Sequence, residues 1–369
     1  MSSNRTIIAR IDRRVNLRED RHVSNAPLDA AAPIVVWGAG AIGGTIGAAL
    51  RRAGHAVLFV DIVPEHVAAI RAGRLRIEGP VADLVVGGPA ALPADIEGRH
   101  KLILLAVKAH HTEAATRALL PHLADDGAVV SCQNGLNELV IAELVGRSRT
   151  IGCFVNFFAD YLEPGRILYA KRGAVVVGEL DGRTTDRITG LHHLMLVFEP
   201  DAVLSDNIFG YLWGKAGYGA ILKASALTDD TIADFIAAPP RRSLIVRLVQ
   251  EVLAVAAAEG VVPLGFDGFD PQAFMRGDAA AIAATMARME TLNRGTVKPR
   301  SGIWRDLAVR KRPTDVAAQL APVRAAARRH GLATPIADRL VALITDIENG
   351  RATIGPALAD TLGATIGRA

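Results

Sequence analysis

Two lysines, eight residues apart, are the side chains in this sequence best suited to acid–base chemistry. Only seven of the 42 basic residues are lysine. Lys215 and Lys223 lie in a Gly-rich apolar segment that begins at Trp213. A lysine that enters an apolar, partly closed cleft can have its pKa lowered and can donate a proton. The pattern leaves a second interpretation open, in which both lysines are solvated on a helix face.

A glycine pattern, GAGAIG at residues 38–43, follows an apolar strand-like run and precedes a helical one. In that context the first glycine allows a tight turn, the second lets a pyrophosphate approach the backbone, and the third lets helix and strand pack closely. The free amides and the positive dipole end of the helix then hold the phosphates. The candidate dinucleotide-binding residues are Gly38, Gly40, Ala41, Ile42 and Gly43.

Asp61 ends the next predicted strand, 23 residues after Gly38. A carboxylate at this position accepts hydrogen bonds from the adenosine ribose hydroxyls and repels a 2′-phosphate. The sequence therefore favours NAD over NADP as cofactor. The alternative is that Asp61 is a helix N-cap or a solvated turn acid.

Polar residues follow two further predicted strands. Val107 and Lys108 end one of them, and Asn134 lies in the Gln-Asn-Gly sequence that follows the other. Doubly wound sheets bind ligands at the carboxyl ends of their strands. We expect Val107 and Lys108 to contact the cofactor, or Lys108 to contact a substrate carboxylate, and Asn134 to contact a substrate oxygen or the nicotinamide ribose. A solvated lysine and an ordinary Asn-Gly turn are the alternatives.

Metal and disulfide chemistry have little support. His110 and His111 are adjacent and lack a carboxylate partner at helical spacing, so we expect surface or helix-start histidines and no metal site. Cys132 and Cys153 are the two cysteines, too few for a disulfide framework, which favours a reducing cytoplasm.

A candidate carboxylate for the active site lies downstream of the two lysines. Thr314 and Asp315 precede an Ala-rich helical segment. Asp315 is either a first-turn acid that the helix dipole favours, or a cleft acid that pairs with Lys215.

The elements that must position these residues fall into two classes. Continuous apolar runs at 34–37, 56–60, 101–107 and 127–131, with a helix at 42–54 between the first two, predict an α/β fold with a parallel doubly wound sheet. After about residue 205 the patterns at 241–259, 278–293, 314–330 and 335–349 predict helices only. We expect a polar extension at 1–32, a Rossmann domain at 33–204 and a helical substrate or dimerisation domain at 205–369.

Composition excludes several classes of partner. Half of the residues are apolar, and the net charge of +4 is too small and too evenly spread to predict nucleic-acid binding. No apolar run is long enough to predict a membrane span. The extension at 1–32 has no apolar stretch of the kind found in secretory signals, so we do not expect it to be one. Its acids, Asp12, Glu19 and Asp20, disfavour a mitochondrial transit peptide.

Taken together, these motifs resemble the ketopantoate reductase (2-dehydropantoate 2-reductase) family from about Ile34 to Ile347. The resemblance implies a fold like that of 6-phosphogluconate dehydrogenase and reduction of a 2-oxo acid by a nicotinamide cofactor, in a cleft between the two domains. It places the family's catalytic lysine on Lys215, its cleft asparagine on Asn134 and its carboxylate on Asp315. A homodimer through the helical domain is implied by the resemblance alone.

The sequence departs from the family at the predicted substrate site. Two family asparagines, four and eight residues after the lysine, are Gly219 and Lys223 here. The family's substrate-binding serine falls on Gly302, with Ser301 one residue away. Lys223 adds a positive charge and, with Arg300 and Arg305 nearby in sequence, favours a more acidic substrate, such as a dicarboxylate or a sugar acid.

We therefore predict a cytoplasmic, NAD-dependent reductase of a small 2-oxo acid in which Lys215 donates the proton. The candidate substrate-binding residues are Lys223, Gly219, Ser301 and Gly302. Two alternatives stay open. One is an NAD-dependent 2-hydroxy-acid or sugar-acid dehydrogenase that works oxidatively, and the other is a dinucleotide-binding homologue without catalytic activity.

Overall fold

The computed structural model describes residues 32–368 of the chain. These residues divide into two compact units between Ile208 and Phe209. The predicted polar extension at 1–32 lies, apart from residue 32, outside the described residues. Within residues 32–368, no helix combines the length and the apolar character needed to cross a bilayer.

Within its described residues, 32–208, the first unit contains twelve strands in two sheets. In chain order they are β1 (Ile34–Trp37), β2 (Val57–Val60), β3 (Leu75–Glu78), β4 (Leu84–Val86), β5 (Ala90–Ala91), β6 (His100–Leu105), β7 (Leu123–Ser131), β8 (Thr150–Val155), β9 (Phe158–Glu163), β10 (Arg166–Lys171), β11 (Val175–Glu179) and β12 (Val203–Leu204). The main sheet has the order β12-β11-β8-β7-β6-β1-β2-β5. Six neighbouring strands of this sheet are parallel, as predicted: β8, β7, β6, β1, β2 and β5. Strand β11 is antiparallel to β8.

Helices cover both faces of the main sheet. The helices of this unit are α1 (Ala41–Arg52), α2 (Pro64–Arg71), α3 (Thr112–Leu119), α4 (Asn137–Val145) and α5 (Asp186–Phe198). In β1, Ile34 and Val36 join the core formed with α1, α2 and α5. Val35 and Trp37 join the core formed with α3 and α4. Because alternate side chains of β1 are buried on opposite faces, the strand reads as a continuous apolar run.

A second sheet, which the sequence analysis did not predict, has the order β4-β3-β10-β9. Its strands β3 and β10 pair in parallel through Ile77 and Ile167, 90 residues apart in sequence. This sheet packs on α1, where a Cβ atom at Gly44 would lie 2.4 Å from Cδ1 of Ile167. The second sheet therefore braces the helix that begins at the glycine pattern.

The second unit is helical, as predicted. Its helices are α6 (Ile208–Ser225, whose first residue is the end of the first unit), α7 (Ile232–Ala237), α8 (Arg242–Ala258), α9 (Pro271–Arg276), α10 (Ala279–Asn293), α11 (Gly302–Ala308), α12 (Val316–Arg329), α13 (Pro335–Glu348) and α14 (Pro356–Gly363). Short 3-10 turns in the two units lie at Ala109–His111, Leu120–His122, Arg147–Arg149, Pro239–Arg241 and Ala364–Arg368. Helix α8 is central, since α9, α12 and α13 pack against it.

Candidate active site

The glycine pattern forms a tight loop between β1 and α1. Gly38 has a φ of +93°, a left-handed conformation that favours glycine. A Cβ atom at Gly38 would lie 2.8 Å from the backbone nitrogen of Val107, so the loop is pressed against the end of β6. The carbonyl of Val60 accepts hydrogen bonds from the amides of Gly38 and Ala39, at 2.8 and 3.2 Å. The loop is thus fixed between the ends of two strands.

The space around the next two glycines differs in the way that dinucleotide binding requires. A Cβ atom at Gly43 would lie 2.1 Å from the carbonyl oxygen of Gly38, so helix and loop are in close contact there. A Cβ atom at Gly40 would meet no atom within 4 Å. The backbone at Gly40 is therefore open to a ligand, and the first-turn amides of α1 have no partner inside the helix. Gly38, Gly40, Ala41, Ile42 and Gly43 fit a pyrophosphate.

Asp61 follows β2 and is half-buried. Its Oδ1 accepts a hydrogen bond from the amide of Val63 at 3.0 Å, just before α2 begins. One carboxylate oxygen of Asp61 therefore acts as the alternative interpretation expected, as an acceptor within the turn. A contact with the cofactor ribose stays a prediction.

A buried hydrogen-bond network that the sequence analysis missed connects the ends of β6 and β7. Gln133 donates from Nε2 to the carbonyl of Val107 and to the hydroxyl of Thr112, both at 2.8 Å. That hydroxyl donates to Oδ1 of Asn137 at 3.0 Å, and Nδ2 of Asn137 donates to the carbonyl of Asn134 at 2.7 Å. The network fixes the backbone of Val107 and Asn134. The sequence signal was Gln133 itself, a polar residue directly after a buried strand.

The side chains predicted at these strand ends are accessible. Lys108 is half-buried and Asn134 is exposed. His110 and His111 are exposed in a 3-10 turn, as expected for surface histidines. Among residues 32–368, no group of three or more His, Cys, Asp or Glu side chains could hold a metal ion.

Helix α6 carries both candidate lysines, and the structure explains its glycines. A Cβ atom at Gly214 would lie 2.2 Å from the carbonyl oxygen of Leu264. One at Gly217 would lie 3.1 Å from Cδ2 of Leu253. These two glycines therefore allow close packing within the helical unit. Lys215, between them, is half-buried.

Lys223 is buried, with 4% of its surface exposed. Its ammonium lies 3.4 Å from the carbonyl oxygen of Gly219, one turn earlier, and a Cβ atom at Gly219 would lie 3.2 Å from Nζ. Burial lowers the pKa of Lys223 to about 8, although the negative charge of Asp315 acts to raise it. Gly219 thus leaves room for the Lys223 ammonium, and Asp315 supplies the opposing charge.

The segment before α12 holds the remaining candidates. The hydroxyl of Ser301 accepts a hydrogen bond from the amide of Trp304 at 3.2 Å and so caps α11. A Cβ atom at Gly302 would meet open space. Asp315 is 7% exposed and its carboxylate makes no capping bond to α12. The charge of Asp315 acts on Lys223, an interaction that the sequence analysis did not predict.

Arg300 already has partners within the helical unit. Its guanidinium donates to the carbonyl of Asp229, with Nη2 at 2.8 Å, and lies 4.6 Å from the ring centroid of Trp304. These contacts give Arg300 a structural role. The case for an acidic substrate therefore depends on Lys223 and not on Arg300.

Family models match both units of the chain. The model described as ketopantoate reductase PanE/ApbA matches residues 34–182, and that of the C-terminal part of ketopantoate reductase PanE/ApbA matches residues 207–348. Together they span most of the chain.

Individual relatives agree with these matches. The chain is 28% identical over 337 residues to the 2-dehydropantoate 2-reductase of Mesorhizobium japonicum, covering 84% of this chain and 96% of that protein. It is 26% identical over 314 residues to that of Halobacterium salinarum, with 84% and 97% covered.

Solved structures share the fold. A PanE/ApbA family ketopantoate reductase from Ralstonia eutropha superposes with a TM-score of 0.72 at 27% identity, covering 86% of this chain and 99% of that one. D-mandelate dehydrogenase in complex with NADH and anilino(oxo)acetate has a TM-score of 0.75 at 22% identity, with the same coverage, and is similar in fold. The chain belongs to the ketopantoate reductase family.

Proposed function

We propose that this chain reduces the ketone of an acidic 2-oxo acid with NADH, and that Lys215 donates the proton. As a member of its family, the chain is a nicotinamide-dependent oxidoreductase that reduces a 2-oxo acid. The observation that carries the proposal is the loop at residues 38–43, where the backbone at Gly40 is open while Gly38 and Gly43 are tightly packed.

The first unit would hold the dinucleotide. The amides from Gly40 to Gly43 would bind the pyrophosphate, and Asp61 would accept hydrogen bonds from the adenosine ribose. Val107, Lys108 and Asn134 would contact the remainder of the cofactor at the ends of β6 and β7. When bound, the nicotinamide supplies the hydride.

Lys215 would act on the carbonyl oxygen of the substrate. Its ammonium stabilises the negative charge that develops on this oxygen and then transfers one proton from Nζ to it. The products are a hydroxyl group and a neutral lysine, which regains a proton from solvent. Asn134 is a second proposed donor to the reacting oxygen or to the substrate carboxylate.

Lys223 would contribute to substrate choice. With a pKa of about 8, its ammonium is the prevailing form at neutral pH. A buried cation, at a position where the family has a neutral amide, favours a substrate with an additional negative charge. Gly219, Ser301 and Gly302 are the other proposed substrate-binding residues, and Asp315 would hold Lys223 in its charged form.

The test is a panel of 2-oxo and 2-hydroxy acids assayed in parallel with both nicotinamide cofactors. We expect turnover of an acidic 2-oxo acid, and tighter binding of NADH than of NADPH because Asp61 repels a 2′-phosphate. Asp61→Ala should narrow that difference. Equal affinities of the unmodified protein for the two dinucleotides would contradict the NAD preference, and no turnover of any acid would support a non-catalytic homologue.

Two further properties are proposals. A homodimer is proposed from the family resemblance, and a cytoplasmic location is proposed from the small number of cysteines. Light scattering of the purified full chain tests the first, since a mass near 39 kDa would show a monomer.

A further inference from the structure

His66 is a fully buried histidine on α2, five residues after Asp61, that the proposed mechanism does not use. Both of its ring nitrogens have backbone partners. Nε2 lies 2.9 Å from the carbonyl oxygen of Ala39, in the glycine loop. Nδ1 accepts a hydrogen bond from the amide of Gly165 at 2.9 Å, in the turn between β9 and β10. The ring therefore connects the glycine loop to the second sheet.

These partners determine the tautomer of the ring. A backbone amide can only donate, so Nδ1 of His66 must be unprotonated. A carbonyl oxygen can only accept, so Nε2 must carry the proton. His66 is thus a neutral imidazole that donates to the Ala39 carbonyl. A charged imidazolium would place two N–H groups against each other at Gly165.

The bond to Ala39 sets the direction of the next amide. The carbonyl of Ala39 and the amide of Gly40 belong to one planar trans peptide, in which the oxygen and the hydrogen point in opposite directions. By holding the oxygen, His66 turns the Gly40 amide away from itself. The amides of Gly38 and Ala39 are already bonded to Val60, so Gly40 carries the first loop amide beyond those two.

The other end of the link, at Gly165, is closely packed. Gly165 has a φ of +82°, and a Cβ atom there would lie 2.9 Å from Cβ of Ala69 on α2. Its carbonyl accepts a hydrogen bond from the amide of Arg76 at 2.8 Å. The ring of Tyr161 meets the imidazole edge-on at 5.1 Å between centroids. Gly165 and Tyr161 of the second sheet and its turn therefore hold the Nδ1 side of the His66 ring.

We propose that His66 is a positioning residue for the dinucleotide, which aims the Gly40 amide at the pyrophosphate by holding the carbonyl of Ala39. This inference rests on the proposed dinucleotide site. It also gives the second sheet a part in orienting the loop, because Gly165 and Tyr161 contact the ring of His66.

Two variants separate the two hydrogen bonds of His66. Asn places its polar atoms near Nδ1 and can keep the Gly165 bond, whereas Gln reaches the position of Nε2 and can keep the Ala39 bond. We expect His66→Asn to raise the dissociation constant of NADH about five- to tenfold, the range of one lost hydrogen bond. His66→Gln keeps the Ala39 bond but loses the Gly165 bond, so it should raise the dissociation constant by a clearly smaller factor than His66→Asn. His192→Asn is the matched control, because it removes a 2.8 Å bond to the carbonyl of Ala202 in the same unit.

Calorimetric titration of the full chain with NADH and with NADPH measures these constants, and thermal melting checks folding. Unchanged affinity in His66→Asn, or equal losses in the Asn and Gln variants, would overturn the inference alone. A wild-type chain that binds neither dinucleotide would overturn the proposed function and this inference with it. If the Asn variant does not fold, two-bond 1H–15N spectra of the wild type test the proposal, because they show which ring nitrogen of His66 carries the proton. A proton on Nε2 supports the proposal, and one on Nδ1 overturns it.

Discussion

Lys215 and Lys223 share a helix, and their surroundings give them different chemistry. Lys215 is half-buried, whereas Lys223 is 4% exposed, with its ammonium over Gly219 and the charge of Asp315 nearby. A cation in such a place loses hydration and keeps its charge only with help from a neighbouring anion. At the scale of residues, the proposed proton donation by Lys215 rests on its match to the family's catalytic lysine, and the proposed substrate binding by Lys223 rests on its buried charge.

Replacement of Lys215 tests the proton donor. A general acid typically contributes about 10²- to 10⁴-fold to the rate, so Lys215→Ala should lower kcat by that factor with little change in dinucleotide affinity. Lys215→Arg should not restore kcat, because a guanidinium hardly releases its proton near neutral pH. Lys223→Ala should mainly raise KM. Steady-state kinetics on the best acid of the panel measures both effects. If Lys215→Ala kept its kcat and Lys223→Ala lost it, the two assignments would be reversed.

The pH dependence of stability tests the burial of Lys223. Its pKa is about 8 in the folded chain, against an ordinary value of 10.5. Between these pH values the unfolded chain binds the proton and the folded chain does not, so the free energy of unfolding should rise with pH. Relative to Lys223→Met, the wild type should gain up to about 3 kcal/mol from pH 8 to pH 10.5. Urea unfolding at several pH values measures this, and a constant or falling difference would contradict the burial.

At the scale of elements, helix packing explains the unusual glycine content of α6. Helix α6 is rich in glycine because it approaches the backbone at Leu264 and the side chain of Leu253. Gly219 is different, since the one atom within 4 Å of a Cβ there is Nζ of Lys223, the mobile end of a side chain. Two glycines of one helix should thus respond differently to the same substitution.

Alanine substitution tests this difference at the scale of the helix. Gly214→Ala places a Cβ against a backbone oxygen at 2.2 Å and should destabilise the chain by about 1–3 kcal/mol. Gly219→Ala requires only a small shift of the ammonium, and alanine favours the helix by up to about 1 kcal/mol. It should leave stability unchanged or raised. Thermal unfolding of both variants measures the effect, and equal losses would show that Gly219 is as tightly packed as Gly214.

At the scale of the whole molecule, the two units carry different parts of the proposed chemistry. Residues 32–208 hold the glycine loop, Asp61 and the polar strand ends, and residues 209–368 hold the two lysines and Asp315. The departures from the family at the predicted substrate site, Gly219, Lys223 and Gly302, fall in the second group. The reaction type should therefore be retained while the substrate differs.

Turnover of ketopantoate tests this division. A missing hydrogen bond at a buried polar site costs about 1–3 kcal/mol, and the chain lacks both family asparagines, with Gly302 where the family has a serine. We expect kcat/KM for ketopantoate below about 10⁴ M⁻¹s⁻¹. More acidic 2-oxo acids in the same assay provide the comparison. Efficient ketopantoate reduction would show that Gly219, Lys223 and Gly302 are compensated elsewhere.

The sequence by itself determined the parts of this protein that depend on neighbours in the chain. Continuous apolar runs predicted the parallel strands, and β1 has the predicted bounds Ile34–Trp37. The helical patterns after residue 205 also became helices. The glycine spacing predicted a loop open at Gly40, because strand, turn and helix follow one another directly.

Only the tertiary structure decided the contacts between distant segments. Ile77 pairs with Ile167, Lys223 meets the charge of Asp315, and His66 connects Ala39 to Gly165. None of these pairs has a local spacing that would reveal it, since each depends on how strands and helices pack after the chain has folded. A buried histidine or lysine looks the same in sequence as a solvated one. Burial and a partner far along the chain give each its chemistry.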